Sequence, residues 1–167
     1  MIRAMYALSG DPPTNGHAWI INEMDKFSDE LHIALAANPD KKYMFEIEQR
    51  VVMMRAITDH VQKRVFIHDI QNEFLVKFAA RAGCTHLVRG VRSVKDYEYE
   101  RTMAQVNAEL ESEITTLFLF PPAHLEAVSS SFVKGLVGLD GWETVAAKYV
   151  HPYVLKKLQG ENVLKRN

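Results

Sequence analysis

The chain has 167 residues, 47% of them hydrophobic and 25% charged, and a formal net charge of -1. This length gives one ordinary domain with a sizeable core, and the balanced charge argues against binding to nucleic acid or to an anionic membrane. The single cysteine, Cys84, excludes an intramolecular disulfide, and no apolar run is long enough to span a bilayer, so we expect a cytoplasmic protein with Cys84 in its core.

Apolar runs of strand length recur five times along the chain, at 2–8, 30–37, 64–70, 85–90 and 114–120. Segments with helical period separate them, beginning with GHAWIINEMDKF, whose large apolar residues share one face. Strand and helix signals that alternate in this way predict a parallel sheet with helices on both faces. The predicted fold is α/β: a single doubly wound, Rossmann-like domain with a five-stranded parallel sheet and C-terminal helices over 1–160, followed by a polar tail at 161–167.

Ligands of such sheets bind outside the carboxyl ends of the strands, near the point where the strand order reverses. The segments that follow the predicted strands are 9–17, 38–45, 70–75, 89–100 and 121–131. The functional residues are therefore expected in these five segments.

The first of these segments reads SGDPPTNGH and ends at His17. Gly16 lets the backbone approach a ligand closely, and His17 falls in the first turn of a predicted helix. Helix N-termini present unpaired N–H groups that suit phosphate, and a histidine there can donate a hydrogen bond to a phosphate oxygen. The alternative is a proline-rich turn whose histidine only caps the helix.

Cationic side chains follow two further strands. In NPDKKYMF, one of Lys41 and Lys42 can reach into the cleft, although the pair also fits a solvated loop. In VRGVR, Arg89 and Arg92 flank Gly90, and two guanidinium groups there can clamp a phosphate through bidentate hydrogen bonds.

The last segment contains three consecutive serines, Ser129–Ser131, at the start of a predicted helix, with Lys134 one turn later. Capping needs one serine, so three favour an anion site over plain capping. The sequence has no nucleophile elbow, no GxxxxGK[ST] loop and no metal-ligand cluster. Many donors at one sheet edge without a nucleophile indicate phosphoryl or nucleotidyl transfer by positioning and electrostatics. The histidines inside elements are interpreted as packing or surface residues: His32, His60, His68 and His86.

The motifs DPPTNGH, KKYMF, RGVR, DYEYE and SSSFVK occur in this order. Together they resemble the bacterial phosphopantetheine adenylyltransferases, a family of nucleotidyltransferases with a T-x-G-H motif, and the resemblance covers about 1–160. It implies transfer of AMP from ATP onto 4′-phosphopantetheine, giving dephospho-coenzyme A and pyrophosphate. It also implies a direct in-line attack without a covalent intermediate, and Mg²⁺ as the ion that accompanies ATP.

Carried over by position, the resemblance implies that His17, Lys41 and Arg92 are catalytic. His17 would bind ATP phosphate and stabilise the transition state, and Lys41 would hold the acceptor phosphate. The implied ATP-binding residues are Ser9, Gly10, His17, Gly90, Val91, Arg92, Glu100, Leu125, Glu126, Ala127, Val128, Ser129, Ser130 and Ser131. The implied acceptor-site residues are Ser9, Lys41, Glu73, Phe74, Leu75, Arg89 and Asn107.

Members of this family are generally hexamers, built as dimers of trimers, and they bind coenzyme A as a feedback inhibitor. The resemblance implies both properties for this chain. It names no residue as a ligand of a resident metal ion.

The resemblance is weakest at Leu8, Ser9 and Gly10, where the family usually has glycine, threonine and phenylalanine. Serine keeps the hydroxyl group but leaves it in more rotamers, and glycine removes an aromatic wall. We expect a working enzyme with a shifted substrate affinity. Two alternatives are another nucleotidyltransferase of the same fold, such as a nicotinamide mononucleotide adenylyltransferase or a cytidylyltransferase, and a nucleotide- or coenzyme A-binding regulator that has lost catalysis.

Overall fold

A computed structural model describes residues 1–36, 42–71 and 73–166 of the chain, with side chains up to residue 161. The elements in the described residues are β1 (Arg3–Leu8), α1 (Asn15–Phe27), β2 (Glu30–Ala36), α2 (Ile47–Thr58), β3 (Arg64–Ile70), α3 (Leu75–Arg81), β4 (His86–Gly90), α4 (Val94–Leu110), β5 (Thr115–Leu119), α5 (Ala123–Glu126), α6 (Ser130–Leu136), α7 (Trp142–Ala146) and α8 (Pro152–Arg166). The predicted α/β fold is confirmed, and the strands begin and end within one residue of the predicted positions. The short helix α5 was not predicted, because four residues carry too little periodic signal.

The five strands form one parallel sheet in the order β3-β2-β1-β4-β5. From β1 the chain winds outward to β3, and it then crosses back to place β4 on the other side of β1. The strand order therefore reverses between β1 and β4. The loops that follow these two strands open into a common crevice, which is where such sheets bind ligands.

Successive residues of β1 point to opposite faces of the sheet, so this strand contributes to two cores. Tyr6 and Leu8 belong to the larger core, together with apolar side chains of α1, α2 and the C-terminal helices. Met5 and Ala7 belong to the smaller core, with residues of α3. Burial on both faces explains why the central strands β1 and β2 read as continuous apolar runs.

Cys84 lies in the smaller core, as predicted. Burial raises the pKa of its thiol to about 11, so the thiolate is scarce at neutral pH and the residue serves packing rather than nucleophilic chemistry. Within the described part of the chain, none of the helices combines the length and the hydropathy that crossing a bilayer requires.

Candidate active site

A cavity of about 160 Å³ opens beyond the carboxyl ends of β1 and β4. Its walls come from the loop after β1, the first turn of α1, the segment before α2, the loop after β4 and the start of α6. We call it the anion cavity. Its lining residues are Ser9, Asp11, His17, Tyr43, Arg92, Ser129, Ser130, Ser131 and Lys134. The fold thus brings together donor residues from four of the five segments in which the sequence placed function.

The imidazole of His17 is oriented by the residue that caps its own helix. Thr14 is the N-cap of α1 and His17 is the third helical residue, and the Thr14 backbone N–H donates to His17 Nδ1 at 3.0 Å. A backbone N–H can only donate, so Nδ1 accepts and the ring proton resides on Nε2. The ring is therefore fixed as a donor tautomer in the wall of the cavity. The capping contact, which the sequence offered as the alternative to a functional role, is present, and it orients the ring in the cavity wall.

Asp11 ties three segments of the cavity together. Its carboxylate is 2% exposed and accepts hydrogen bonds from the backbone N–H groups of Met44 and Phe45, each at 2.9 Å. The Lys134 ammonium group of α6 donates to the same carboxylate at 2.8 Å. Asp11 therefore holds the segment before α2 and the first turns of α6 against the loop after β1.

The three serines, Ser129–Ser131, make different contacts. Ser129 is the N-cap of α6 and accepts a hydrogen bond from the Phe132 N–H at 3.0 Å. Ser130 donates to the Pro12 carbonyl oxygen at 2.9 Å, and Ser131 is an exposed residue of the cavity lining. One serine caps, one joins two loops, and the third presents its hydroxyl group at the cavity.

Gly16 brings two parts of the protein close together. A Cβ atom at Gly16 would lie 3.4 Å from the Val128 carbonyl oxygen, in the turn between α5 and α6. The close approach that the sequence predicted is thus made to another protein segment. A larger residue at Gly16 would push the serine-rich helix start away from α1.

A larger, mainly apolar cleft of about 460 Å³ adjoins the anion cavity, and Arg92 lines both. The Arg92 guanidinium donates to Asp96 at 3.3 Å, and Ser93 caps α4 by accepting from the Asp96 N–H at 3.1 Å. We call this the apolar cleft. Its lining residues are Val91, Arg92, Ser93, Val94, Tyr97, Phe120, Pro121 and Glu126. An apolar wall beside a cationic cavity suits a flat ring system joined to a phosphate chain.

A smaller pocket of about 100 Å³ lies between the start of α3 and α4. At its inner end Arg89 and Glu100 form a bidentate ion pair, with two N–O distances of 2.6 Å. Burial alone would lower the pKa of Arg89, but the hydrogen bonds and charge of Glu100 outweigh it and raise the pKa. We call this the side pocket. Its lining residues are Phe74, Leu75, Arg89, Tyr99, Glu100, Met103, Ala104, Asn107 and Thr116.

Glu100 was assigned by resemblance to the nucleotide, but the structure places it in the side pocket, paired with Arg89. Glu73 forms two hydrogen bonds with Arg81 on the surface, at 2.9 and 3.0 Å. Lys41 lies outside the described residues, and its neighbour Lys42 is exposed.

The turn around α5 supplies the remaining residues of the implied nucleotide site. Glu126 lines the apolar cleft, Leu125 is half-buried, Ala127 is exposed and Val128 is buried. At the end of β4, a Cβ atom at Gly90 would lie 3.1 Å from the Ile20 side chain of α1, so a larger residue there would displace that side chain slightly.

Two side chains at the cavity were missed from the sequence. Tyr43 lies in the cavity wall, and Arg50 of α2 is buried behind it, with its guanidinium carbon 4.2 Å from the Tyr43 ring centroid. The long-range role of Asp11 was missed as well, since the sequence suggested only local hydrogen bonds. For Arg50 the sequence offers one signal, a charged residue at an inward-facing position of the α2 pattern. Hydrophobic periodicity alone does not interpret such a residue.

The cytidylyltransferase-like family model matches residues 9–135. A phosphopantetheine adenylyltransferase of Chromobacterium violaceum is 46% identical over 158 residues, which cover 95% of this chain and 96% of that protein. A protein of the same name from Neisseria meningitidis serogroup C is 43% identical over 163 residues, covering 96% of this chain and 94% of its own.

Among solved structures, the nicotinic acid mononucleotide adenylyltransferase of Plasmodium falciparum in complex with NaAD has a TM-score of 0.72 to this chain. The likeness extends over 99% of this chain and 98% of that one, at 14% sequence identity. It supports the Rossmann-like nucleotidyltransferase fold.

Proposed function

The chain belongs to the phosphopantetheine adenylyltransferase family, and from this we propose that it transfers the adenylyl group of ATP to 4′-phosphopantetheine. The products are dephospho-coenzyme A and pyrophosphate. Relatives that are 43% and 46% identical over nearly the whole chain support this substrate pair more strongly than any single motif.

The observation that carries the proposal is the placement of His17. The Thr14 N–H fixes its donor tautomer, and the ring shares one cavity with Arg92 and Lys134. Donors and cations that are held in place before the reaction stabilise developing negative charge without reorganising. Such an arrangement suits a reaction at phosphorus.

In the proposed reaction, an oxygen of the acceptor phosphate attacks the α-phosphorus of ATP in line. A new phosphorus–oxygen bond forms while the bond from the α-phosphorus to the bridging oxygen breaks, and pyrophosphate leaves with that electron pair. Negative charge grows on the bridging and non-bridging oxygens, where His17 Nε2–H, Arg92 and Lys134 can stabilise it. The attacking phosphate needs no general base, because it is already an anion.

We assign the other parts of the two substrates to the two further cavities. The apolar cleft, which shares Arg92 with the anion cavity, would take the adenine ring, with Tyr97 and Phe120 among its apolar walls. The side pocket would take the pantetheine arm, with Leu75 and Asn107 in its lining. The reacting phosphates would then meet in the anion cavity.

We propose that Mg²⁺ enters with ATP. The described residues contain no group of three or more histidine, cysteine or acidic side chains that could hold a metal ion. Asp11, the carboxylate of the anion cavity, is already engaged by two backbone N–H groups and Lys134. The ion would therefore be held by phosphate oxygens and water, and it would neutralise part of their charge.

The test is pyrophosphate release from ATP with a panel of acceptors. We expect release with 4′-phosphopantetheine, and at most background release with nicotinamide mononucleotide, nicotinic acid mononucleotide or phosphocholine in place of it. Release with one of these other acceptors and not with 4′-phosphopantetheine would identify a different nucleotidyltransferase. Tight ATP or coenzyme A binding without any release would identify a regulator instead.

We further propose a homohexamer, a dimer of trimers, that coenzyme A inhibits by competing at this site. The 17-residue helix α4 supports self-association, since it has no buried residue and exposes Val106 outside the apolar cleft and the side pocket. Light scattering after size exclusion should give six times the chain mass, and a monomer would contradict it. The cytoplasm is the proposed compartment, because the one cysteine is a free buried thiol.

A further inference from the structure

Helix α2 carries one arginine into the protein interior, directly behind the anion cavity. Arg50 is 6% exposed, whereas Glu48 and Arg55 of the same helix lie at the surface. The next buried residues of α2 are apolar, Met53 and Met54. A charged side chain in this row is unusual, because charged groups are rarely buried without a partner of opposite charge.

The contacts of Arg50 lead to the cavity wall. Its Nη1 donates to the Ser9 carbonyl oxygen at 2.9 Å, and its guanidinium carbon lies 4.2 Å from the centroid of the Tyr43 ring. Ser9 and Tyr43 both line the anion cavity. Within the described residues, no carboxylate forms an ion pair with Arg50, and its buried Nε has no hydrogen-bond acceptor.

One carbonyl and one aromatic face offset only part of the desolvation of a guanidinium group. A methionine of similar length would fill the same space without that cost. The positive charge is therefore best explained by a negative charge that is bound nearby for part of the working cycle. The anion cavity, whose wall Arg50 supports, is the adjoining place for such a charge.

We propose that Arg50 is a positioning residue of the anion cavity. It fixes Ser9 through the Ser9 carbonyl oxygen, and its buried charge favours phosphate groups on the far side of that wall. The identity of those phosphates, pyrophosphate and the acceptor phosphate, rests on the proposed function. The same contact supports the loop at Leu8–Gly10, where this chain departs from its family. Gly10 follows Ser9 directly and has a left-handed backbone conformation, with a φ of 58°.

The experiment compares Arg50→Met, which removes the charge and keeps the bulk, with Arg50→Lys, which keeps the charge. Arg55→Met is the matched control, because Arg55 is exposed on the same helix. Affinity for inorganic pyrophosphate is measured by titration calorimetry, well below each variant's unfolding midpoint. Steady-state kinetics with both substrates of the proposed reaction give kcat and a separate KM for ATP and for the acceptor.

We expect Arg50→Met to weaken pyrophosphate binding about tenfold, the size expected for one lost interaction with a charged group, and to raise the acceptor KM more than it lowers kcat. Arg50→Lys should recover part of the affinity, and Arg55→Met should bind as the unsubstituted chain does. A folded Arg50→Met with unchanged pyrophosphate affinity would overturn the proposal, even if its unfolding midpoint were lower. Should Arg50→Met fail to fold, Arg50→Gln takes its place, because it keeps an N–H donor and removes the charge.

The measurements distinguish a wrong role for Arg50 from a wrong acceptor in the proposed reaction. Pyrophosphate affinity depends on the anion cavity and not on the acceptor. If the unsubstituted chain released no pyrophosphate with 4′-phosphopantetheine while Arg50→Met still lost pyrophosphate affinity, the proposed acceptor would be wrong and the role of Arg50 would stand.

Discussion

The anion cavity and a cluster on β2 and β3 both combine histidine with an ion pair, but their arrangements are opposite. In the anion cavity, His17 is held by a backbone N–H and presents a fixed donor tautomer. In the second region, which we call the outer cluster and which consists of Glu30, His32, Phe66 and His68 on β2 and β3, the side chains bind one another. The His32 and His68 rings stack at 5.2 Å between centroids, and their Nδ1 and Nε2 atoms are 3.0 Å apart.

The buried carboxylates of the two regions, Glu30 and Asp11, also differ in what they join. Glu30 is 5% exposed and pairs with Arg3 at 3.1 Å and with Arg64, side chains that flank it in the sheet. Asp11 instead joins loops and a helix that together form a cavity. Residue type alone therefore does not distinguish a site from a structural cluster. Position relative to the carboxyl ends of the strands does.

The largest expected effect separates the histidines of the two regions. His17→Ala removes a donor that is placed for the transition state, so we expect kcat to fall by about 10²–10³-fold, as for the loss of one oxyanion donor. The ATP affinity should change little, while the unfolding midpoint should fall slightly, because the Thr14 N–H at the start of α1 loses its acceptor. The measurement is pyrophosphate release at saturating substrates, with ATP binding followed by calorimetry.

The matched variant in the outer cluster is His68→Phe, which keeps an aromatic ring against His32 and Phe78. We expect its kcat to stay within about twofold of the unsubstituted chain, because its contacts lie within the sheet and α3. Equal losses of kcat in His17→Ala and His68→Phe would show that the two regions do not differ in function.

The next effect compares the two buried carboxylates. Asp11→Asn leaves Lys134 without its counter-charge, and we expect the free energy of unfolding to fall by about 2 kcal/mol, reduced from the fully buried case because Lys134 is partly exposed. Glu30→Gln should cost less, about 1 kcal/mol, since its partners Arg3 and Arg64 are 39% and 71% exposed and water can solvate their charges. Urea unfolding measures both.

Activity separates these two variants. Asp11→Asn should also lower kcat/KM, because Lys134 and the segment before α2 depend on Asp11 for their position. Glu30→Gln should leave kcat/KM unchanged in the folded protein. A Glu30→Gln enzyme as impaired as Asp11→Asn would place the outer cluster within the catalytic machinery.

These variants also mark what the sequence could and could not predict. Strand β3 at 64–70 matches its predicted limits, since a strand-length apolar run carries a strong local signal. His17 was placed in a first helical turn, because T-N-G-H combines a cap, a glycine and the start of an apolar period.

The contacts of Asp11 and Arg50 could not be predicted from the sequence, and the reason is physical. Asp11 binds residues 33, 34 and 123 positions away, and Arg50 binds one 41 positions away. Local propensity and periodicity contain no information on such pairs, which depend on how the loops fold over the sheet edge. The Arg89–Glu100 ion pair could not be predicted for the same reason, because it joins a strand to the helix that follows it.

A smaller effect concerns the backbone of the site. Gly10 has a φ of 58°, and a Cβ atom there would lie 3.1 Å from the Leu35 side chain. We expect Gly10→Ala to destabilise the protein by about 1 kcal/mol and to raise the acceptor KM, because Ser9 would shift with it. Gly160→Ala in α8 meets open space and should stabilise the helix by up to about 1 kcal/mol without changing the acceptor KM. An acceptor KM unchanged in Gly10→Ala would show that this loop does not shape the site.

The smallest effect is a dependence of stability on pH that belongs to the outer cluster alone. Burial, and then the charge of Arg3, lowers the pKa of His32 below its usual 6.5, and burial, and then His32, lowers that of His68. Below pH 6.5 the unfolded chain binds protons that these two histidines do not bind in the folded chain, so the free energy of unfolding should decrease. Urea unfolding between about pH 7 and pH 5 should show a shallower decrease for His68→Phe than for the unsubstituted chain, because that variant has one such histidine fewer. Identical slopes would mean that His68 binds a proton as readily in the folded chain as in the unfolded one, and they would contradict the prediction.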